Sequence, residues 1–295
     1  PPRSTLFPYT TLFRSRPFVS AGTLSAANVT RLQLLRPYPQ FLNVTQALAG
    51  SGSSSYHSMQ LKVNRRLKHG FSVLGSYTVG KLLTDTGPYT AFDTRPDPQN
   101  VYDRRGDRAL STQDVAQRLA ISYVWEMPFG RGQKFMSNAN RVLDAVLGGW
   151  QVNGVTTFPG GQPLVITTRI PTSSVATRPN NNGQSAKLEG PVRDRLNRYF
   201  STSVFSSPGP FQFGSSPRTL PDVRNHGTNN FDISLFKNFT ISEGKTLQLR
   251  GEFFNIFNRV QFAAPIGTQG NANFGTINAQ RNTPRISQAA LRLSF

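Results

Sequence analysis

Apolar and polar residues alternate with a period of two along much of the chain. In residues 58–67, Met59, Leu61, Val63 and Leu67 share one parity, interrupted only by Arg65; Ser58, Gln60, Lys62, Asn64 and Arg66 share the other. Successive side chains of a strand point to opposite faces, so this segment predicts a strand with one dry and one wet face. Lys68, His69 and Gly70 follow as a short turn signal, glycine taking positive φ without strain. Residues 71–81 predict the return strand, with Phe71, Val73, Tyr77 and Val79 opposite Ser72, Ser76 and Thr78.

The pattern recurs. In residues 115–129, Leu119, Ile121, Tyr123, Trp125 and Met127 alternate with Arg118, Ala120, Ser122 and Glu126. In 150–158, Trp150, Val152 and Phe158 alternate with Gln151, Asn153 and Thr157, and in 231–241 Phe231, Ile233, Leu235, Phe239 and Ile241 alternate with Asp232, Ser234, Asn238 and Thr240. A tight turn at Ser242-Glu243-Gly244 leads into 245–257, where Leu247, Leu249, Phe253 and Phe257 oppose Gln248, Arg250 and Glu252. The final segment, 287–295, sets Ala289, Leu291, Leu293 and Phe295 against Gln288, Arg292 and Ser294. Helical periodicity is nearly confined to residues 141–147, ahead of Gly148 and Gly149.

The connections are unequal. Turns at 68–70 and 242–244 are minimal, whereas 82–113, 169–228 and 259–285 are long, polar and rich in Gly, Pro, Asn and Ser. Such loops are uncommon within compact soluble domains. Outer-membrane β-barrels carry them on the external side, opposite short periplasmic turns. Placing the C-terminus in the periplasm puts 242–244 inside, 82–113 outside and 68–70 inside, provided that 148–168 is one crossing bent at Pro159-Gly160-Gly161. An added pair of crossings, one of them near 199–205, satisfies the parity equally. The expected fold is all-β: antiparallel transmembrane β-barrel strands forming a partial barrel of about eight crossings, with long extracellular loops.

Composition narrows the classes. The 295 residues carry a formal net charge of +19 and a mean hydropathy of −0.38. Cysteine is absent, which excludes disulfides, cysteine-based zinc sites and thiol nucleophiles. No apolar run approaches the roughly 20 residues of a membrane-spanning helix. A basic nucleic-acid binder would interleave aromatics with cations on one sheet face. Here the two usually occupy opposite faces, so no nucleic-acid partner is expected. Lys62, Arg66, Arg118, Arg250 and Arg292 fall on the predicted lumen face, where a low-dielectric channel would draw an anionic solute. The favoured account of the basic excess is plainer: loop arginines meet anionic lipopolysaccharide, or charge elsewhere in a larger barrel balances it. Trp125, Trp150, Tyr123 and the 22 phenylalanines suit interfacial girdles.

The sequence offers no candidate catalytic, cofactor-binding or metal residues. Asp85-Thr86-Gly87 spells the aspartic-protease triplet, but that chemistry needs a second carboxylate sharing a proton, and no second copy exists. Asp93, Asp97, Asp103 and Asp107 lack calcium-loop spacing and are interleaved with Arg95, Arg104, Arg105 and Arg108, so local ion pairs are expected. His57, His69 and His226 are scattered. Residues 50–55 form a Gly/Ser connector without the strand–turn–helix context of a nucleophile elbow, and Gly130-Arg131-Gly132 reads as a turn.

Four segments together resemble the C-terminal half of TonB-dependent receptors: 56–81 (YHSMQLKVNRRLKHGFSVLGSYTVGK), 117–132 (QRLAISYVWEMPFGRG), 148–163 (GGWQVNGVTTFPGGQP) and 253–262 (FFNIFNRVQF). The nearest group is Oar-like, with an N-terminal carboxypeptidase-regulatory-like domain. The resemblance spans residues 32–295 with gaps in the loops. The last strand, with Leu291, Leu293 and Phe295, resembles the signal read by the barrel-assembly machinery. The resemblance implies a bacterial outer-membrane location and a barrel of about 22 strands closed by a plug. It also implies coupling to the TonB complex through an N-terminal part, and uptake of a solute such as an iron chelate, a peptide or an oligosaccharide, without cofactors or covalent chemistry. The implied partners are outer-membrane lipid and lipopolysaccharide.

Residues 5–15 (TLFPYTTLFRS) resemble a translated sequencing adapter. We therefore set residues 1–15 aside as non-native and read 16–295 as a C-terminal portion of such a barrel. Alone it is expected to aggregate or fail to insert, because exposed sheet edges are costly in lipid. The rival readings are a complete small barrel, either passive channel or adhesin, and a soluble basic all-β nucleic-acid binder.

Overall fold

The structure is a computed structural model that describes residues 24, 28–41, 44, 52–86, 98–100, 102–168, 178–210 and 212–295. Residues 1–15, Gly87, Asp93, Arg95 and Asp97 lie outside the described residues. A four-residue helix, α1 (Arg31–Leu34), is N-capped by Thr30. The chain then enters a sheet built from β1 (Ser54–Lys68), β2 (Phe71–Thr84), β3 (Ala109–Leu110), β4 (Gln117–Glu126), β5 (Trp150–Pro159), β9 (Asn230–Ser242), β10 (Lys245–Phe254) and β12 (Ile286–Ser294). Two-residue strands β6 (Thr167–Thr168), β7 (Asn180–Asn181), β8 (Phe205–Ser206) and β11 (Thr268–Gln269) lie in the connections. The seven-residue helix α2 (Arg141–Leu147) is capped by Asn140, whose side chain accepts from the Leu143 N–H.

The order is β1-β2-β4-β5-β9-β10-β12, with β3 beside β2. Every pairing along this path is antiparallel. The sheet thus has eight strands, seven of them full crossings of 9 to 15 residues, matching the roughly 9–11 residues that span a bilayer. The parity question resolves to a single crossing. β5 ends at Pro159 and pairs directly with β9, while residues 160–168 turn away instead of continuing the strand. Gly161 makes this exit possible, since a Cβ there would strike the Asn225 carbonyl. Segment 199–205 is not a crossing: Phe200 is fully buried among the loops.

At one end, hereafter the turn end, His69 and Gly70 both have positive φ (55° and 76°), as a two-residue type I′ hairpin requires. A register shift between Arg65 and Lys68 marks a bulge just before it. The β9–β10 turn, the β4–β5 connection (residues 127–149) and the end of β12 share this end; the connections β2–β4, β5–β9 and β10–β12 share the other, the loop end. β1 and β12 each pair with one full-length neighbour, so among the described residues the sheet is open.

The hydrophobic core lies outside the sheet. No apolar residue of a full-length strand is buried. The buried cluster comprises Leu164, Ile166, Ala186, Tyr199, Phe200, Val204, Phe205, Leu220, Val223 and Ile277, all from the connections at the loop end. Phe200, Phe205 and Phe274 meet edge-to-face at centroid distances of 5.3–6.1 Å. These loops therefore form a small lobe with its own core.

Candidate functional site

Register shows that the two faces of the sheet are continuous. On one face Val73, Tyr123, Gly154, Ile233 and Phe253 stand side by side, and Trp125, Val152, Leu235, Gly251 and Ala289 form a second row. Leu61 and Tyr77, then Phe239, Leu247 and Leu293, extend it to the outer strands. On the other face Ser72, Val124, Asn153, Ser234, Glu252 and Gln288 cross six strands. Because nothing among the described residues covers the apolar face, Met59, Leu61, Val63, Leu249, Leu291 and Leu293 are exposed.

Aromatic rings collect at both ends of the apolar face. At the loop end Phe158, Phe231 and Phe257 pack edge-to-face at 5.4 and 5.0 Å, with the Arg259 guanidinium over Phe231 at 5.8 Å. At the turn end lie Phe71, Trp125, Trp150 and Phe239. Lys237, unremarked by the periodicity although it shares parity with Leu235 and Phe239, sits here on the apolar face. Its ammonium lies 5.5 Å from the Trp150 ring and 4.9 Å from Phe239, and donates to the Gly148 carbonyl. The stem is buried and the head reaches the rim, a snorkelling geometry. Arg65, another cation of apolar parity, lies over Phe71 at 5.6 Å.

The five cations expected on the polar face fall into separate groups. Lys62 pairs with Ser76, two residues from Thr78, which pairs with Arg118. Arg250 pairs with Ala290, two residues from Arg292. These two couples occupy opposite halves of the sheet and make no common site. Arg66 falls within the β1 bulge. The Arg250 guanidinium stacks on Phe236 at 4.9 Å, and Gln288 donates to Glu252.

The lobe is fastened to β2 and its extension by three arginines. Arg218 donates to the carbonyls of Thr84 and Thr86 at 2.6 Å each, and to that of Asp107 at 3.0 Å. Arg178 pairs with Asp107 and donates to the Gly106 carbonyl. Arg224 pairs with Asp114 at 2.6 Å, and the same carboxylate accepts from the Leu82 N–H at 2.6 Å. Asp107 and Asp114 are both 2% exposed. The expected pairing of Asp107 with neighbouring arginines is thereby corrected. Its partner lies 71 residues away, because the carboxylate is buried under the lobe, where only a folded-over guanidinium reaches it. Burial, and then repulsion from Arg218, lower the Arg178 pKa to about 10; burial also lowers that of Arg218. Burial raises the Tyr199 phenol, which donates to the Arg224 carbonyl at 2.6 Å. His226, against Phe262 at 5.3 Å, is held below the ordinary imidazole value by burial and then by Arg281.

Asp85 accepts from the Ser53 N–H at 2.7 Å and closes a loop. No group of three or more potential metal ligands occurs among the described residues. Clefts at the lobe base include one of about 430 Å³ bordered by Lys81, Arg108 and Arg224.

A single-layer antiparallel sheet with an uncovered apolar face, aromatic bands at both ends and a core confined to its long loops is the wall of a transmembrane β-barrel. A family model described as an outer membrane beta barrel domain matches residues 9–288, and the chain belongs to that family. It is a protein of the bacterial outer membrane. No curated protein matches it.

Proposed function

We propose that the chain supplies strands and external loops to a TonB-dependent transporter that imports a solute into the periplasm. The observation that carries this reading is the open sheet: seven full-length crossings whose edges at β1 and β12 have no further strand among the described residues. Unpaired backbone groups in lipid cost several kcal/mol each by order of magnitude, and further strands of a larger barrel would satisfy them. The motif order of residues 32–295 supports the TonB-dependent class. In this reading the polar face lines the lumen, Leu291, Leu293 and Phe295 carry the assembly signal, and exposed loop cations meet lipopolysaccharide. No covalent step is assigned to the chain.

Long-read sequencing across the locus tests the proposal. A frame continuing upstream of the Arg16 codon into further alternating strands, a plug and a signal peptide is expected. A start codon and signal peptide directly before Arg16 would overturn it in favour of a small stand-alone barrel.

A further inference from the structure

The β4–β5 connection, residues 127–149, does not belong to the loop-end lobe. It lies at the turn end and carries an apolar surface of its own. Val142, Leu143, Val146 and Leu147 of α2 are exposed, as are Phe129, Phe135 and Met136; Val142 is 73% exposed. Within α2 the i, i+4 couples Val142/Val146 and Leu143/Leu147 form adjoining ridges. Isolated helices this short are marginal, so the orientation is set by its ties to the sheet. The Trp150 indole donates to the Val146 carbonyl at 2.8 Å, and Lys237 donates to the Gly148 carbonyl. The Asn238 N–H donates to the Gly149 carbonyl at 2.9 Å. Trp150 and Lys237 both project from the lipid-facing side of the sheet. They hold the end of α2 against the turn-end aromatic band, so its apolar surface continues the barrel's lipid belt.

The charges of the connection are one-sided. Arg131, Lys134 and Arg141 face a single carboxylate, Asp144, which is occupied by the Arg131 N–H at 2.6 Å. Phe135 stacks against Phe129 at 5.6 Å, with the Lys134 ammonium 5.5 Å from its ring. Apolar groups beside a cationic fringe, continuous with a lipid-facing belt, fit a phospholipid headgroup layer.

We propose that residues 127–149 form an interfacial anchor lying in the periplasmic phospholipid leaflet. Val142, Leu143, Val146 and Leu147 enter the acyl boundary, and Arg131, Lys134 and Arg141 bind anionic headgroups. The proposal rests on the outer-membrane reading with the short turns facing the periplasm. The anchor would fix the barrel's depth on its inner side, where the other connections between the described strands are only turns.

The chain contains no cysteine, so single-cysteine labelling tests the idea cleanly. Val142→Cys and, as a control, Glu243→Cys in the β9–β10 turn are made in the complete gene product that carries these strands, any cysteine outside them replaced by serine, expressed to the outer membrane. Both are labelled with nitroxide in isolated outer membranes, and collisions with oxygen and with a water-soluble nickel chelate are measured. At Val142 oxygen collisions are expected to exceed nickel collisions, with the reverse at Glu243. Replacing Arg131, Lys134 and Arg141 together by glutamine is expected to raise nickel access at Val142. Nickel access at Val142 equal to that at Glu243 overturns the anchor. Low access to both reagents overturns it in favour of a protein partner. A Glu243→Cys thiol that reacts with an impermeant maleimide in intact cells overturns the sidedness beneath it, and is distinguishable from failure of the anchor alone.

Discussion

Arg224→Ala isolates the fastening of the external lobe. The substitution leaves the Asp114 carboxylate, 2% exposed, with only the Leu82 N–H within reach. It also removes donors from the carbonyls of Asp114 and Gly161. Removing one partner of a buried ion pair costs roughly 3–5 kcal/mol. The Arg224 side chain keeps 26% exposure, which screens part of its charge and places the expected loss near the lower bound, about 3 kcal/mol. When opening is fast relative to cleavage, proteolysis tracks the open population, and 3 kcal/mol corresponds to a rise of roughly 150-fold. The assay is the rate of lobe cleavage by proteinase K in outer membranes carrying the variant, with heat-modifiable mobility reporting the strands separately. The lobe is expected to open while the strands hold. Asp114→Leu combined with Arg224→Leu should return the rate to within about tenfold of the parent, since an apolar replacement removes the uncompensated charge. A rise of less than about threefold for Arg224→Ala, under 1 kcal/mol, would refute the argument.

Phe200→Ala empties the centre of the lobe core and should cost about 3–5 kcal/mol, read as faster amide exchange in the lobe with exchange in β4 and β5 unchanged. Ile121→Arg places a charge on the lipid face and is expected to cost about 2–4 kcal/mol in refolding titrations of the complete barrel into lipid vesicles; its neighbour Ser122→Arg, on the polar face, should cost far less, and equal losses would contradict the assignment of faces. Because burial holds His226 below the ordinary value of 6.5, the unfolded chain binds a proton first as pH falls. Lobe stability should therefore be full above about pH 6.5 and decline below it. The imidazole titration by NMR should have its midpoint under 6.5, and His226→Gln should flatten the decline.

Most of the sheet was legible in the sequence because a period of two is local. Each of β1, β2, β4, β5, β9, β10 and β12 carries enough alternating residues to declare itself, and the pairings follow chain order. The parity argument, by contrast, carried the crossing on to residue 168, whereas β5 ends at Pro159 and Leu164 and Ile166 pack into the lobe. The lobe itself was invisible. Leu164 and Ile277 meet in one core although 113 positions separate their numbers, and neither lies in a periodic segment long enough to mark. The Asp107–Arg178 and Asp114–Arg224 pairs were hidden for the same reason. Of the five cations expected on the polar face, four have partners that place them by register, and parity could not foresee the bulge that captures Arg66. Lys237 was readable in principle, as a cation of apolar parity between a Trp-bearing strand and Phe239.

The separation of the buried core from the long strands has a practical consequence. Two halves of one chain answer to different solvents. The strands are held by what surrounds them, so swapping lipid for a shorter-chain detergent changes their stability without touching Phe200. The lobe is held by what it encloses, so urea added to the outside of an intact bilayer reaches it first. Such a molecule should show two melting events, moved independently by the choice of amphiphile and of denaturant, and a single unfolding temperature would describe neither.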